Sequence, residues 1–128
     1  MLLKRRDDDP IFPGYWDLPG GGVDAGEDLA GTLVREFREE TGLSVRVGRP
    51  LHISIQRYPV RGEDTIEAVL VVFECTARTT KEPRLDPAEH TAYAWVTKRQ
   101  LRGHAVMPTQ REGIQAAFKS QMADPASR

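Results

Sequence analysis

A chain of 128 residues with 29% charged residues and a formal net charge of −1 can bury about two-thirds of its unfolded surface in one core, so residues 1–128 are expected to form a single domain. Its mixed charge leaves no basic footprint for nucleic acid, and no apolar run approaches the roughly 18 residues of a membrane helix. With no signal-like segment and a lone Cys75 that allows no internal disulfide, a cytoplasmic protein that uses neither membrane nor nucleic acid as partner is expected.

Residues 1–6 read as the end of a strand, broken by Asp7-Asp8-Asp9-Pro10, and residues 10–15 as a loop. Trp16-Asp17-Leu18-Pro19-Gly20-Gly21-Gly22 reads as a turn in which Pro19 fixes one φ angle and the glycines let the backbone approach a ligand closely. Asp24 followed by Glu27 resembles a helix start, with acidic residues at the positive end of the dipole, and Gly42 supplies a left-handed stop. The spacing therefore predicts a helix over residues 27–41.

On that helix Leu29, Ala30, Leu33, Val34 and Phe37 form an apolar arc, while Glu36, Glu39 and Glu40 fall about 0°, −60° and 40° around the wheel and overlap its edge. Like charges at these spacings repel, and Arg35 and Arg38 are centred on other parts of the wheel. A hard divalent cation such as Mg²⁺ or Mn²⁺ would resolve the repulsion, because these ions take carboxylate and phosphate oxygens. A solvated acidic face would be the default for a Glu-Glu pair alone, but the glycine turn just before the helix reverses that default in favour of the cation site.

The pattern Gly21, five residues, Glu27, seven residues, then Arg35-Glu36-Phe37-Arg38-Glu39-Glu40-Thr41-Gly42-Leu43, with its lead-in Leu18-Pro19-Gly20-Gly21, resembles the signature of the Nudix hydrolases at every defining position. The resemblance implies an α/β/α sandwich with a mixed β-sheet between helices, and Mg²⁺- or Mn²⁺-dependent hydrolysis of a nucleoside diphosphate linked to another group. It implies that Glu36, Glu39, Glu40 and the carbonyl of Gly20 are metal ligands, and that Arg35 pairs with Glu27. Gly21, Glu27, Arg35 and Gly42 would thus hold the loop and helix together. Family members usually carry a further strand before residues 1–6; either the assigned start is too late, or the fold is completed differently, for instance by a partner chain as in a homodimer. Arg6 stands where related enzymes often place a phosphate-binding arginine, with Arg5 as its competitor. Tyr15 and Trp16 are candidates for a base pocket, or else packing anchors.

Residues 44–47 continue as strand, and Leu51, Ile53 and Ile55 alternate with His52, Ser54 and Gln56, which reads as a strand with its apolar face buried. Residues 61–64 are a turn, so residues 51–58 and 65–77 form a hairpin whose second arm, apolar on both faces at Val69-Leu70-Val71-Val72-Phe73, reads as a central strand. Residues 78–87 are a polar loop. Glu89 then precedes a strand over residues 92–96; by resemblance it is the carboxylate that binds a second metal or serves as general base, and His90 could do the same work, although a lone loop histidine reads more readily as a surface residue. Thr97 caps a short turn, Thr109 with Glu112 makes a capping box for a terminal helix over residues 110–122 that buries Ile114, Ala117 and Phe118, and residues 123–128 should fray.

The compact chain resembles the Nudix members that act on nucleoside or deoxynucleoside triphosphates, and the resemblance implies Mg²⁺-dependent cleavage of a (deoxy)nucleoside triphosphate to monophosphate and pyrophosphate. Pro59 is similar in placement to a proline of ADP-ribose-cleaving members, and Tyr58 to a tyrosine of the dinucleoside-polyphosphate group. A non-catalytic nucleotide sensor is the alternative from another class; all three box glutamates are present against it. RNA cap removal would want a basic stripe that the chain lacks.

Overall fold

The adjacent apolar pair Leu2-Leu3 opens β1 (Leu2–Arg5), and both residues are wholly buried. The computed structural model describes residues 1–60, 64–79 and 81–123, with side chains through residue 120. β1 is the middle strand of an antiparallel sheet, between β2 (Trp16–Asp17) and β5 (His90–Ala94). Trp16 and Asp17, expected in a turn, are therefore strand: they pair with Lys4 and Leu3, and Trp16 adds a parallel bridge to Val106. β5 begins at His90 rather than at residue 92, because Arg5 and His90 are already partners across the sheet.

α1 (Leu29–Thr41) starts two residues later than the spacing suggested. Asp28 is its N-cap, its side chain accepting from Gly31 N at 2.7 Å, whereas Glu27 closes the preceding turn by accepting from Asp24 N at 2.9 Å. Gly42 ends the helix at φ 70°, a left-handed angle that costs glycine little, and its N–H reaches Arg38 O at 3.0 Å.

Residues 44–47 and 51–58 are one long strand, β3 (Val45–Pro59), whose register shifts around Pro50, and it pairs antiparallel with β4 (Thr65–Ala77). The connecting turn at Arg61, Gly62 and Glu63 lies outside the described residues, as does the C-terminal end at residues 124–128. Two expectations about this hairpin are overturned. Ile53 and Ile55 are 65% and 71% exposed, while His52, Ser54 and Gln56 on the other face are half-buried. Period two defines two faces but not which one is covered. α2 (Arg111–Ala123) settles it by lying on the His52–Val72 pair, where Gly113 comes so close to Val72 that a Cβ would collide. And β4 has only β3 as a strand neighbour among the described residues, so it is not central.

α2 follows a 3₁₀ turn over Pro108–Gln110 that contains Thr109, so Thr109 lies inside a turn rather than at the helix cap. Thr97 does cap, in a reciprocal pair with Gln100, ahead of the 3₁₀ turn Gln100–Gly103. A core of Leu2, Val106 and Ile114 is packed by Trp16, Leu18, Val96, Leu101 and Phe118. The whole is an α/β sandwich, and a largely apolar cleft of about 950 Å³, lined by Leu33, Phe37, Leu51, Val71, Phe73 and Ile114 among others, runs between its layers.

Candidate active site

The loop before α1 is held by one arginine. Arg35 Nε donates to Glu27 Oε2 at 2.7 Å and its Nη2 to Glu27 Oε1 at 3.0 Å, a fork on a carboxylate, while Nη2 also reaches the carbonyl of Gly22 at 3.1 Å. Arg35 beside it holds the Glu27 carboxyl down to about 2, well below the usual range, helped by the Asp24 N–H. The same guanidinium turns back along the helix: Nη1 lies 3.0 Å from Glu36 Oε1 and 3.2 Å from Glu39 Oε2. The wheel had centred Arg35 away from the acidic face; the length of its side chain carries it there. Gly21 lies against the Glu36 carboxylate, where any Cβ would overlap it. Burial raises Glu36 despite the opposing pull of Arg35.

One turn on, Glu40 faces inward and is only 6% exposed. Its Oε1 accepts from Gly20 N at 2.8 Å, and its Oε2 lies 3.7 Å from His90 Nδ1. Burial pushes Glu40 up to about 8, although the Gly20 N–H and His90 both oppose the rise. The three-stranded sheet brings the rest: His90 Nε2 sits 2.9 Å from Asp17 Oδ1, and Arg5 Nη1 donates to Asp17 Oδ2 at 3.0 Å while Nη2 donates to Asp9 at 2.7 Å. Burial works against a charge on His90, but Asp17, Glu40 and Glu89 outweigh it and its pKa is raised.

Arg5, Asp9, Asp17, Gly20, Gly21, Glu36, Glu40, Glu89 and His90 line a polar cleft of about 350 Å³. Glu40, Glu89 and His90 offer ligand atoms within 4.8 Å of one another. Of the carboxylates singled out by the helix pattern, Glu36 and Glu40 line this cleft; Glu39 is 58% exposed and turned toward Arg35. Glu89 arrives on a turn whose N–H donates to Asp86 O at 3.0 Å.

Other candidates are placed elsewhere. Arg6 is forked onto Asp8 and donates to Pro87 O at 2.8 Å, so Arg5, not Arg6, lines the cleft. Tyr15 packs edge-on against Phe12, and Trp16 packs on the core and edge-on against His104. Sequence reasoning missed Asp17 and misjudged His90, which is 3% exposed rather than on the surface. The available signal was slight: Asp17 is one charge among Trp16, Leu18 and Pro19, and His90 opens the strand that pairs with β1.

Residues 1–117 match the NUDIX domain. Over 107 residues the chain is 32% identical to a protein of Escherichia coli O139:H28 named nucleoside triphosphatase NudI, covering 79% of this chain and 74% of that one, and it is equally similar to the protein of the same name from Shigella flexneri. Among solved structures it resembles a MutT protein from Methanosarcina mazei Go1, at 25% identity and TM-score 0.73 over 96% of this chain and 84% of that one. In fold it also resembles an Ap4A hydrolase from C. elegans, at 20% identity and TM-score 0.66 over 95% of this chain and 83% of that one.

Proposed function

This chain belongs to the NUDIX domain family and is a hydrolase of phosphorus-containing acid anhydrides, and from that premise we propose that it is a Mg²⁺-dependent pyrophosphohydrolase of a (deoxy)nucleoside triphosphate, releasing the monophosphate and pyrophosphate. The observation that carries the proposal is the convergence of Glu36 and Glu40 from α1 with Glu89 from the β5 turn in one cleft, backed by Gly20 and Gly21. The donors fit a hard cation: they are carboxylate oxygens, and the buried Glu40 carboxyl has one N–H to answer two oxygens. Glu36, Glu40 and the Gly20 carbonyl would hold the ion, and Glu39 would have to turn from Arg35 to join them; the ion when bound neutralises phosphate charge and lowers the pKa of water.

The chain's own groups would do the remainder. Glu89, exposed at the cleft mouth, takes the proton of the attacking water as its oxygen bonds to phosphorus; the bond from phosphorus to the bridging oxygen breaks, and pyrophosphate leaves. Arg5 at the inner wall holds Asp17 and Asp9 in place. The nucleoside triphosphatase named above at 32% identity supports triphosphates ahead of ADP-ribose or dinucleoside polyphosphates. The protein is expected to act in the cytoplasm; among the described residues no helix is long and apolar enough to cross a membrane.

The test is one panel: triphosphates including 8-oxo-dGTP, ADP-ribose and diadenosine polyphosphates, each with Mg²⁺ and with EDTA, products separated by chromatography. Monophosphate and pyrophosphate formed with Mg²⁺ and not with EDTA support the reading. Full turnover in EDTA overturns the metal assignment, and binding without turnover moves the protein to the sensor class.

A further inference from the structure

His90 has a polar atom that the fold does not satisfy. Its ring is 3% exposed, its Nε2 faces Asp17 Oδ1 at 2.9 Å, and among the described residues its Nδ1 has no hydrogen-bond partner. Since a carboxylate only accepts, Nε2 carries the proton toward Asp17, and a neutral ring then presents a bare lone pair at Nδ1. That lone pair is aimed into the acidic cleft. Glu40 Oε2 stands 3.7 Å from it.

Two occupants of that gap can be weighed. If the ring were built as an imidazolium bridging two carboxylates, Nδ1–H would sit at a charge-assisted distance of about 2.7–2.9 Å from Glu40, and it does not. Two donors about 2.1 Å from a shared ion, by contrast, stand about 3.4 Å apart in a tetrahedral site and up to about 4.2 Å apart at wider angles, which brackets the observed separation. Glu40 is prepared for this: Oε1 is tied to Gly20 N, leaving Oε2 facing the ring. The third donor, Glu89, is exposed on a turn and completes a group within 4.8 Å, which has to close by about 0.6–1.4 Å to reach those separations. Behind the ring, Arg5 fixes Asp17, so the histidine has the carboxylate support that orients metal-bound imidazoles and fixes their tautomer.

We infer that His90 is a metal ligand through Nδ1, forming with Glu40 and Glu89 a site for a divalent transition ion of the Mn²⁺, Co²⁺ or Zn²⁺ class, which it takes ahead of Mg²⁺. The nitrogen donor makes the difference, because imidazole favours these ions whereas all-oxygen sites suit Mg²⁺. The inference rests on the metal-dependent reading of the same cleft and names a ligand and an ion preference that the helix pattern does not contain.

The experiment uses untagged protein and Mn²⁺ alone. Electron spin-echo spectroscopy of the Mn²⁺-loaded wild type should show ¹⁴N modulation from a directly bound imidazole, and His90→Gln should abolish it. In competition with Mg²⁺, His90→Gln should lower Mn²⁺ affinity by about 10–100-fold, comparable to the loss of a supporting group at such a site, with Mg²⁺ affinity little changed. If His90→Gln fails to fold, the variant carrying His52→Gln and His104→Gln retains one histidine and decides the matter: imidazole modulation there can come only from His90. Bound Mn²⁺ without nitrogen modulation, or modulation that survives His90→Gln, overturns the ligand assignment and leaves the hydrolase reading intact. No Mn²⁺ binding to the folded wild type overturns both.

Discussion

Two groups of carboxylates meet at α1, and they are served in opposite ways. On the outer side Arg35 stands within ion-pair distance of Asp24, Glu27, Glu36 and Glu39, so every acid there has a share of one cation that the chain supplies. On the inner side Glu40 is sealed behind Gly20, with a backbone N–H at 2.8 Å and the His90 ring at 3.7 Å to answer it. The outer group is bound to itself and shapes the loop, with Glu36 alone also reaching the cleft. The inner group is short of positive charge in a place water hardly reaches, which is where an outside cation is worth most, because the low dielectric that makes a lone carboxylate costly also strengthens its pairing.

The largest effect that would sharpen this contrast belongs to Glu40→Gln. We expect turnover to fall by orders of magnitude while the amide still accepts from Gly20 N. We also expect the variant to be more thermostable than the metal-free wild type. With its folded pKa raised to about 8 from 4.5, Glu40 is tolerated when protonated, and its ionisation erodes stability as pH climbs from 4.5 to 8. Melting curves in EDTA should therefore show the advantage of Glu40→Gln widening over that interval; a variant equally or less stable at pH 8 would break the contrast.

Next comes Gly21→Ala, whose Cβ must displace the Glu36 carboxylate, the movable end of a side chain. The fold should survive, with metal affinity and rate reduced, and adding Glu36→Gln should cost little more, since both changes remove the same group. An additive double variant, measured by titration and initial rates, would mean that Gly21 acts otherwise.

The outer group should show itself in stability and acid response. Glu27, held at about 2 by Arg35, contributes fully above its ordinary 4.5 and loses that contribution as pH falls toward 2. The difference in melting temperature between wild type and Glu27→Gln should be widest above pH 4.5 and close by pH 2. The smallest effect is expected at Arg6, already forked onto Asp8: Arg6→Ala should leave turnover and melting temperature unchanged, and a large rise in KM would return it to the substrate.

How much of this was legible varies residue by residue. Gly42 had to be where the helix stops, and Glu36, Glu39 and Glu40 had to share a helix side, because both follow from local geometry. The convergence of Arg5, Asp17 and His90 was not legible, because it depends on β1 lying between β2 and β5, strands far apart in sequence. His90 looked like a loop residue for the same reason: burial is conferred by neighbours, and its neighbours are Asp17 and Glu40. Ile53 and Ile55 mislead in the other direction, for their alternation is that of a half-buried strand, yet α2 covers the opposite face.

By itself, then, the sequence determined the helix, its glycine-rich approach, the acidic side and the family resemblance, all of which are set by spacings within a few turns of chain. Only the tertiary structure decided which glutamate is sealed and which is exposed, which arginine lines the cleft, and that a histidine stands behind Glu40. Those outcomes depend on which strands pair and which faces are covered, and such long-range choices are made by the packing of the whole chain rather than by any local pattern.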